Sequence, residues 1–266
     1  MSEAASQDVL YEVADHVATI TINRPDVQNT ISGPMLDALT ERLLEADRDS
    51  DVRAIIITGT GRFFCAGLDL RTGNPGGGTG TERRVSVTLD LRSTPPTVLH
   101  NLDTPTICAL NGSAAGYGMD LALGCDIRLM ADNAKLAAAF TARGIVPESG
   151  GTWILPRPIG WSKAAELIFT GRTLLADECE RLGLVSKVVP ADTIGDAARA
   201  LALEIAGQAP LAVQSSKRMM RMGMNETFDD HVHHVFLQLL PLFQTEDFRE
   251  GMASFMQKRK AEFKGR

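Results

Sequence analysis

Residues 106–126, TICALNGSAAGYGMDLALGCD, decide how this chain is read. Ile107-Cys108-Ala109-Leu110 is a short apolar run of the kind buried as a strand. Asn111-Gly112 signals a turn. A loop of small residues follows from Ser113 to Gly118, with Gly112, Gly116 and Gly118 as its pivots. Met119 to Leu123 then reads as an apolar helical segment stopped by Gly124. A strand that turns through glycines into a helix presents free backbone N–H groups at a positive helix end. Such a place binds an anion, or stabilises one that forms during a reaction. Asp120 sits in the first turn of that helix. The stretch therefore reads as half of an active site.

Upstream, residues 9–13 and 16–22 alternate and are rich in β-branched side chains, which predicts a hairpin turning at Ala14-Asp15. Ser32-Gly33-Pro34 supplies a cap and an early proline for an amphipathic helix from Met35 to Asp47. Ala54 to Thr58 is a continuous apolar strand of the parallel-sheet kind. Gly59 to Leu70 forms a second glycine-bearing loop after a strand. The glycine-rich run 71–81 reads as a mobile loop beside a site, and 82–101 as helical, interrupted by Pro95-Pro96. Downstream, strands are expected at 126–129, 134–140 and 185–189, with a loop carrying Glu148 over 140–151. Helices are expected at 162–170, from a Ser162 cap, at 175–182 and at 191–207. From Pro210 onward the pattern is helical throughout: 210–222, 226–240 and 245–260. Strand–helix alternation followed by helices alone indicates an α/β core with a helical C-terminal lobe.

The composition narrows the function classes. The chain has 266 residues, 44% hydrophobic and 23% charged, enough for a full core. A net charge of −6 without a dense basic block argues against a nucleic-acid partner. No apolar run reaches the roughly 18 residues that would span a membrane. The start, MSEAASQDV, lacks the positive and apolar regions of a signal peptide, so a cytoplasmic location is expected. The four cysteines (65, 108, 125, 179) are scattered, which suggests reduced buried thiols. His231, His233 and His234 lack the i, i+4 spacing of a helical metal site, so no metal is expected.

Two loops, FFCAGLDL (63–70) and NGSAAGYGMDLALGCD (111–126), each follow a strand and carry small residues that let a substrate approach the backbone. Together they resemble the enoyl-CoA hydratase/isomerase, or crotonase, superfamily. The resemblance continues through GIVPESGGTWILPRPIG (144–160), TGRTLLADECERLGLVSKVVP (170–190) and the tail FREGMASFMQKRKAEFKG (248–265), in the family's order. It implies a crotonase-like spiral of ββα units over residues 1–200, and an all-helical C-terminal oligomerisation region over 201–266. It also implies a homotrimer or dimer of trimers. The implied substrate is an acyl-CoA thioester whose carbonyl lies between two backbone N–H groups, where an enolate forms. CoA is then part of the substrate and no separate cofactor is implied.

By position in the motifs, the two donors are the N–H groups of Leu68 and Tyr117. Preorganised donors of this kind contribute about 3–4 kcal/mol each. Position 117 is usually glycine in the family, so a phenol here borders the pocket. Hydratases of the family use two glutamates. The first maps to Asp120 and the second to Phe140, which cannot move a proton. Glu148, in the PESGG turn, stands where several relatives hold a working carboxylate, including isomerases of the phenylacetyl-CoA pathway. One carboxylate suffices to shift a double bond, and a neighbouring Phe140 would raise its pKa by desolvation. The reading is therefore isomerisation of an enoyl-CoA with Glu148 as base and Asp120 assisting, with hydration of a 2-enoyl-CoA as the alternative. The plain reading of Asp120 is a helix N-terminal acid, and that of Glu148 a turn residue. CoA or substrate contacts are also expected at Ala66, Gly67, Asp69, Leu70, Arg24, Phe140 and Lys260.

Two rivals come from other classes. One is an acyl-CoA-binding protein of the same fold without turnover, suggested by Phe140. The other is a short-chain NAD(P) dehydrogenase, suggested by the spacing of Gly112, Gly116 and Gly118 and by Asp132. Against the dehydrogenase, the glycines lie mid-chain, and Tyr11 and Tyr117 are followed four residues on by Asp15 and Leu121 instead of lysine.

Overall fold

The computed structural model describes residues 7–69 and 94–266. Strands β1 (Val9–Ala14) and β2 (Val17–Ile22) form the antiparallel hairpin. Its turn falls on Asp15-His16, one residue later than expected, and both residues take positive φ, the primed-turn geometry that suits strand twist. Helix α1 (Gly33–Arg48) enters through Pro34. Strand β3 (Ala54–Gly59) is parallel to β2. Three short elements follow: β4 (Phe63–Cys65), α2 (Pro95–Asn101) and β5 (Thr106–Leu110). The Pro95-Pro96 pair starts α2 and does not interrupt it, because a missing N–H is harmless in the first turn. The low-complexity run 71–81, the helix expected over 82–93 and Leu70 lie outside the described residues.

The chain then runs through β6 (Ser113–Ala115), α3 (Tyr117–Gly124), β7 (Ile127–Ala131) and β8 (Lys135–Ala137). The loop expected over 140–151 holds a 3-10 turn at Thr141–Arg143. It ends in two short helices, α4 (Gly151–Ile154) and α5 (Pro156–Ile159). Helix α6 (Trp161–Thr170) starts after Gly160 and not from a Ser162 cap. Leu175 closes strand β9 (Thr173–Leu175), so α7 (Ala176–Arg181) begins one residue later than expected. Strand β10 (Lys187–Val189) and α8 (Ile194–Ala206) complete the core. Helices α9 (Pro210–Gly223), α10 (Phe228–Leu242) and α11 (Glu246–Gln257) form the C-terminal region. Position 200 falls inside α8, which packs on the sheet, so the division between core and helical region lies after α8.

The large sheet has the order β1-β2-β3-β5-β7-β10 and the small one β4-β6-β8-β9. The pairs β3/β4, β5/β6 and β7/β8 each place one strand in either sheet. Every turn of chain therefore advances one position in both, which is the expected spiral. The centre of the large sheet, β3 and β5, is buried on both faces. Ile55, Ile57, Cys108 and Leu110 face the main core. Ala54, Ile56, Ile107, Ala109 and Leu129 face Ile194, Ala198 and Ala202 of α8. This alternation explains why β3 and β5 read as unbroken apolar runs.

Candidate active site

Strands β4, β6 and β8 are parallel neighbours: Cys65 lies opposite Ala114, and Ala115 opposite Ala137. Parallel strands release their connections at the same edge, so the segments 66–69, 116–117 and 138–148 emerge side by side. This places the sequence-predicted residues Ala66, Gly67, Leu68, Tyr117, Asp120, Phe140 and Glu148 around one locality.

Glycines allow the close approach. A Cβ on Gly118 would lie 2.1 Å from the Cys65 carbonyl oxygen, and one on Gly112 would lie 2.0 Å from that of Arg62. Helix α3 therefore seats its first turn directly on the end of β4. Gly67 has φ +109° and lies where a Cβ would stand 3.8 Å from the Tyr117 nitrogen. The two expected donor loops thus touch. Ala66 donates its N–H to the Gln28 carbonyl, and Asp69 donates to the Ile31 carbonyl. Neither the Leu68 N–H nor the Tyr117 N–H has a backbone acceptor among the described residues. The two N–H groups lie on either side of Gly67.

The donor loop is held from behind. Arg24 and Asp69, each expected to face substrate, meet one another: both terminal guanidinium nitrogens lie 3.3 Å from Asp69 Oδ2. Arg24 also donates to the Thr30 carbonyl at 2.8 Å and lies 3.6 Å from Asp8. Asn29, missed by sequence reasoning, donates to the carbonyls of Thr60 (2.9 Å) and Phe63 (2.6 Å). Asn111 accepts from the Gly59 N–H and donates to the Gly61 carbonyl, both at 2.9 Å. The available signal was its place beside Gly112, which indicated a turn but not a clamp. Lys260 stands exposed on the tail after α11, and no contact among the described residues joins it to the other candidates.

The acids meet across a turn. Tyr117 and Asp120 lie three apart on α3, on one helix face. That face abuts the turn 147–151: Ser149 donates its N–H to Asp120 Oδ2 at 3.3 Å, and a Cβ on Gly151 would lie 2.1 Å from Asp120 Oδ1. Asp120 is 1% exposed. Burial, then the negative charge of Glu148, push its pKa up to about 7 against the pull of the Ser149 and Gly151 amides. Glu148 is half-buried, and burial raises its pKa too. Phe140 is fully buried beyond β8. Among the described residues, four buried polar atoms of this locality lack hydrogen-bond partners: Tyr117 Oη, Asp120 Oδ1, Glu148 Oε2 and Ser149 Oγ. Ser149 was another residue that sequence reasoning did not single out.

The glycine spacing that suggested a dinucleotide site has a different use. Strand β6 intervenes between Gly112 and α3, so β5 does not turn directly into a helix as that motif requires.

The comparisons with known proteins agree with this layout. The profile of the enoyl-CoA hydratase/isomerase family matches residues 12–266. The chain is 35% identical to the 1,2-epoxyphenylacetyl-CoA isomerase of Escherichia coli (strain K12), covering 97% of this chain and 98% of that protein. It is also 35% identical to the short-chain-enoyl-CoA hydratase of Clostridium acetobutylicum, at 97% and 98% coverage. The crystal structure of an enoyl-CoA hydratase from Bacillus anthracis superposes with a TM-score of 0.90 at 33% identity, over 98% of this chain and 100% of that one. A spiral core, two donor loops in contact and an acid on each side of one turn, matched along nearly the whole length, place this chain in the enoyl-CoA hydratase/isomerase family, as an acyl-CoA-processing enzyme of the crotonase fold.

Proposed function

We propose that this enzyme shifts a carbon–carbon double bond in an enoyl-CoA, with Glu148 as the base. The observation that carries this reading is the pair Asp120 and Glu148, which face one turn while Phe140 fills the second glutamate position. Two adjacent acids with unequal environments divide into an acid and a base. The more exposed Glu148 is the one that ionises first, and its charge helps to keep a proton on Asp120.

The thioester oxygen accepts from the Leu68 and Tyr117 N–H groups. Glu148 takes a proton from the acyl chain, and the electron pair passes into an enolate whose oxygen those donors stabilise. The same carboxyl returns the proton at the far end of the conjugated system. Protonated Asp120 orients the turn and completes the polar wall. Ala66 and Gly67 border the CoA thioester, Arg24 and Asp69 fix the donor loop from behind, and Lys260 reaches CoA from a neighbouring subunit.

That last role requires an oligomer, which we propose to be a trimer or a pair of trimers. Helix α10 buries no residue within the chain, and Phe228, Phe236, Leu237 and Leu240 are exposed on it, as are Met252, Phe255 and Met256 on α11. Apolar surface of this extent is the kind that subunit contacts cover.

Hydration is the second reading. It is favoured by the unpartnered Asp120 Oδ1 and Glu148 Oε2, which could hold a water between them. Mass spectrometry of products from crotonyl-CoA and from 3-hexenoyl-CoA separates the two. A shifted double bond at unchanged mass from the 3-enoyl substrate, without water addition to crotonyl-CoA, is the expected result. Gain of one water on crotonyl-CoA alone would overturn isomerisation in favour of hydration.

A further inference from the structure

Tyr117 does more than supply an N–H. Its side chain is 4% exposed and Ser149 is 2% exposed, and among the described residues neither the Tyr117 Oη nor the Ser149 Oγ has a partner at hydrogen-bond distance. The two hydroxyls are near enough for Ser149 to bear on the phenol's ionisation, and the phenol feels the charges of both Glu148 and Asp120. Phenylalanine would fill the same space without burying an oxygen. Alanine at 149 would still leave the Ser149 N–H on Asp120, since that bond is made by the backbone. Neither hydroxyl is therefore needed for the packing or for the clamp on Asp120. If one hydroxyl turns toward the other, the pair still keeps one buried donor hydrogen with no acceptor among the described residues, which destabilises the protein unless something arrives to accept from it.

A plain hydrocarbon chain would be a poor occupant. It would cover both hydroxyls and two carboxyl oxygens and satisfy none of them. A site lined by unpaired hydrogen-bonding groups discriminates against the ligand that lacks the matching atom. Two hydroxyls that share one free donor hydrogen match a single acceptor oxygen. The phenol lies near Glu148 and Asp120, which the proposed function sets beside the reacting carbons, so that oxygen belongs farther along the acyl chain than the thioester carbonyl.

We propose that Tyr117 and Ser149 are specificity-determining residues that hold an acceptor oxygen borne on the acyl chain, so that the natural substrates are oxygen-bearing acyl-CoA thioesters and not plain alkenoyl ones. The proposal rests on the acyl-CoA reading of this site but not on the direction of the chemistry.

Binding of unreactive saturated ligands tests it apart from turnover. Dissociation constants are measured by calorimetry for hexanoyl-CoA, 4-oxohexanoyl-CoA and 5-oxohexanoyl-CoA, on the full chain and on its Tyr117→Phe and Ser149→Ala variants. At least one oxo ligand should bind the unaltered protein about tenfold more tightly than hexanoyl-CoA, the worth of one or two buried hydrogen bonds. In Tyr117→Phe the ratio should fall to about one, and in Ser149→Ala it should fall part of the way. Equal affinities for all three ligands would overturn the proposal while leaving the acyl-CoA reading intact. A preference that survives Tyr117→Phe would overturn it as well. Failure of hexanoyl-CoA and both oxo ligands to bind would remove the acyl-CoA reading of the site and this inference with it.

Discussion

The backbone N–H of Ser149 points at Asp120 Oδ2, 3.3 Å away, and ties the turn that carries Glu148 to the helix that begins with Tyr117. This contact, with the close approach of Gly151 to Asp120 Oδ1, joins the turn that carries one acid to the helix that carries the other. Without it, a half-exposed turn would have to position a base by itself. Asp120 is tolerated at 1% exposure because the Ser149 amide partners its carboxyl and because burial and the nearby Glu148 charge favour its protonated, neutral form.

Replacing Glu148 by glutamine should lower kcat by about a hundredfold to ten-thousandfold, the range for loss of a positioned general base. The dissociation constant for a saturated acyl-CoA should change by less than a few fold, because the donors at Leu68 and Tyr117 remain. Steady-state rates and ligand titration on the same preparation check both. Full turnover in Glu148→Gln on every acyl-CoA tried would end its assignment as base.

Asp120 should give the pH–rate profile its alkaline limb. Burial and the Glu148 charge raise its pKa to about 7, and activity that depends on its proton is lost as pH rises through that value. Glu148 must be ionised, so activity appears as pH rises through its own raised pKa, above 4.5. The profile should be bell-shaped, and Asp120→Asn should flatten its alkaline side. Stability moves the same way. The folded form holds the Asp120 proton more tightly than the unfolded chain, so stability from this group is full below pH 3.8 and declines as pH rises toward about 7. The loss is of the order of a few kcal/mol. Urea denaturation of Asp120→Asn and the unaltered protein at pH 5 and pH 8 should show the gap changing in the variant's favour at pH 8.

Gly118→Ala should destabilise the protein by about 1–3 kcal/mol despite alanine's better helix propensity. The new methyl would stand 2.1 Å from a backbone oxygen, which cannot swing aside as a side chain would. Because the clash lies where α3 meets β4, the two donor loops must part. Denaturant midpoints and kcat should fall together.

Arg24→Ala removes the guanidinium from an Asp69 side chain that is only 3% exposed. Arg24 is itself partly exposed, which weakens the pair relative to a fully buried one. A loss of about 2 kcal/mol in stability is expected, with a drop in kcat from the loosened Leu68 donor. If the variant lost only affinity for CoA and kept its stability, Arg24 would be a phosphate contact and not a brace.

Light scattering of the purified chain should give a mass three or six times that of one chain. A monomer would contradict the proposed covering of α10 and α11.

Local chemistry in the sequence already specified much of this protein. Apolar runs marked β3 and β5, alternation marked the hairpin, and 3.6-residue periodicity with early prolines marked α1 and α9, because these depend on neighbours close along the chain. The Asn111-Gly112 turn and the glycines around it marked a strand-to-helix passage with free N–H groups. The motif order pointed to the family. Short elements were not legible: β4, β6 and β9 have three residues each, and α4 and α5 four, too few for a period to show.

What only the tertiary structure decided is who meets whom. The parallel registers of β4, β6 and β8 bring Gly67, Tyr117 and the Glu148 turn together from three distant places in the chain. Arg24 and Asp69 looked from the sequence like two residues facing substrate, yet they pair with each other. Asp120 could be read from the sequence as an assisting acid or as a plain helix-end acid stabilised by a dipole, and the environment that brings its pKa to about 7, burial and a second acid, comes from the tertiary structure. A residue's type and its near neighbours set which chemistry it can do. Burial, opposing charge and the partners left unsatisfied set which chemistry it does, and those depend on contacts that no local pattern records.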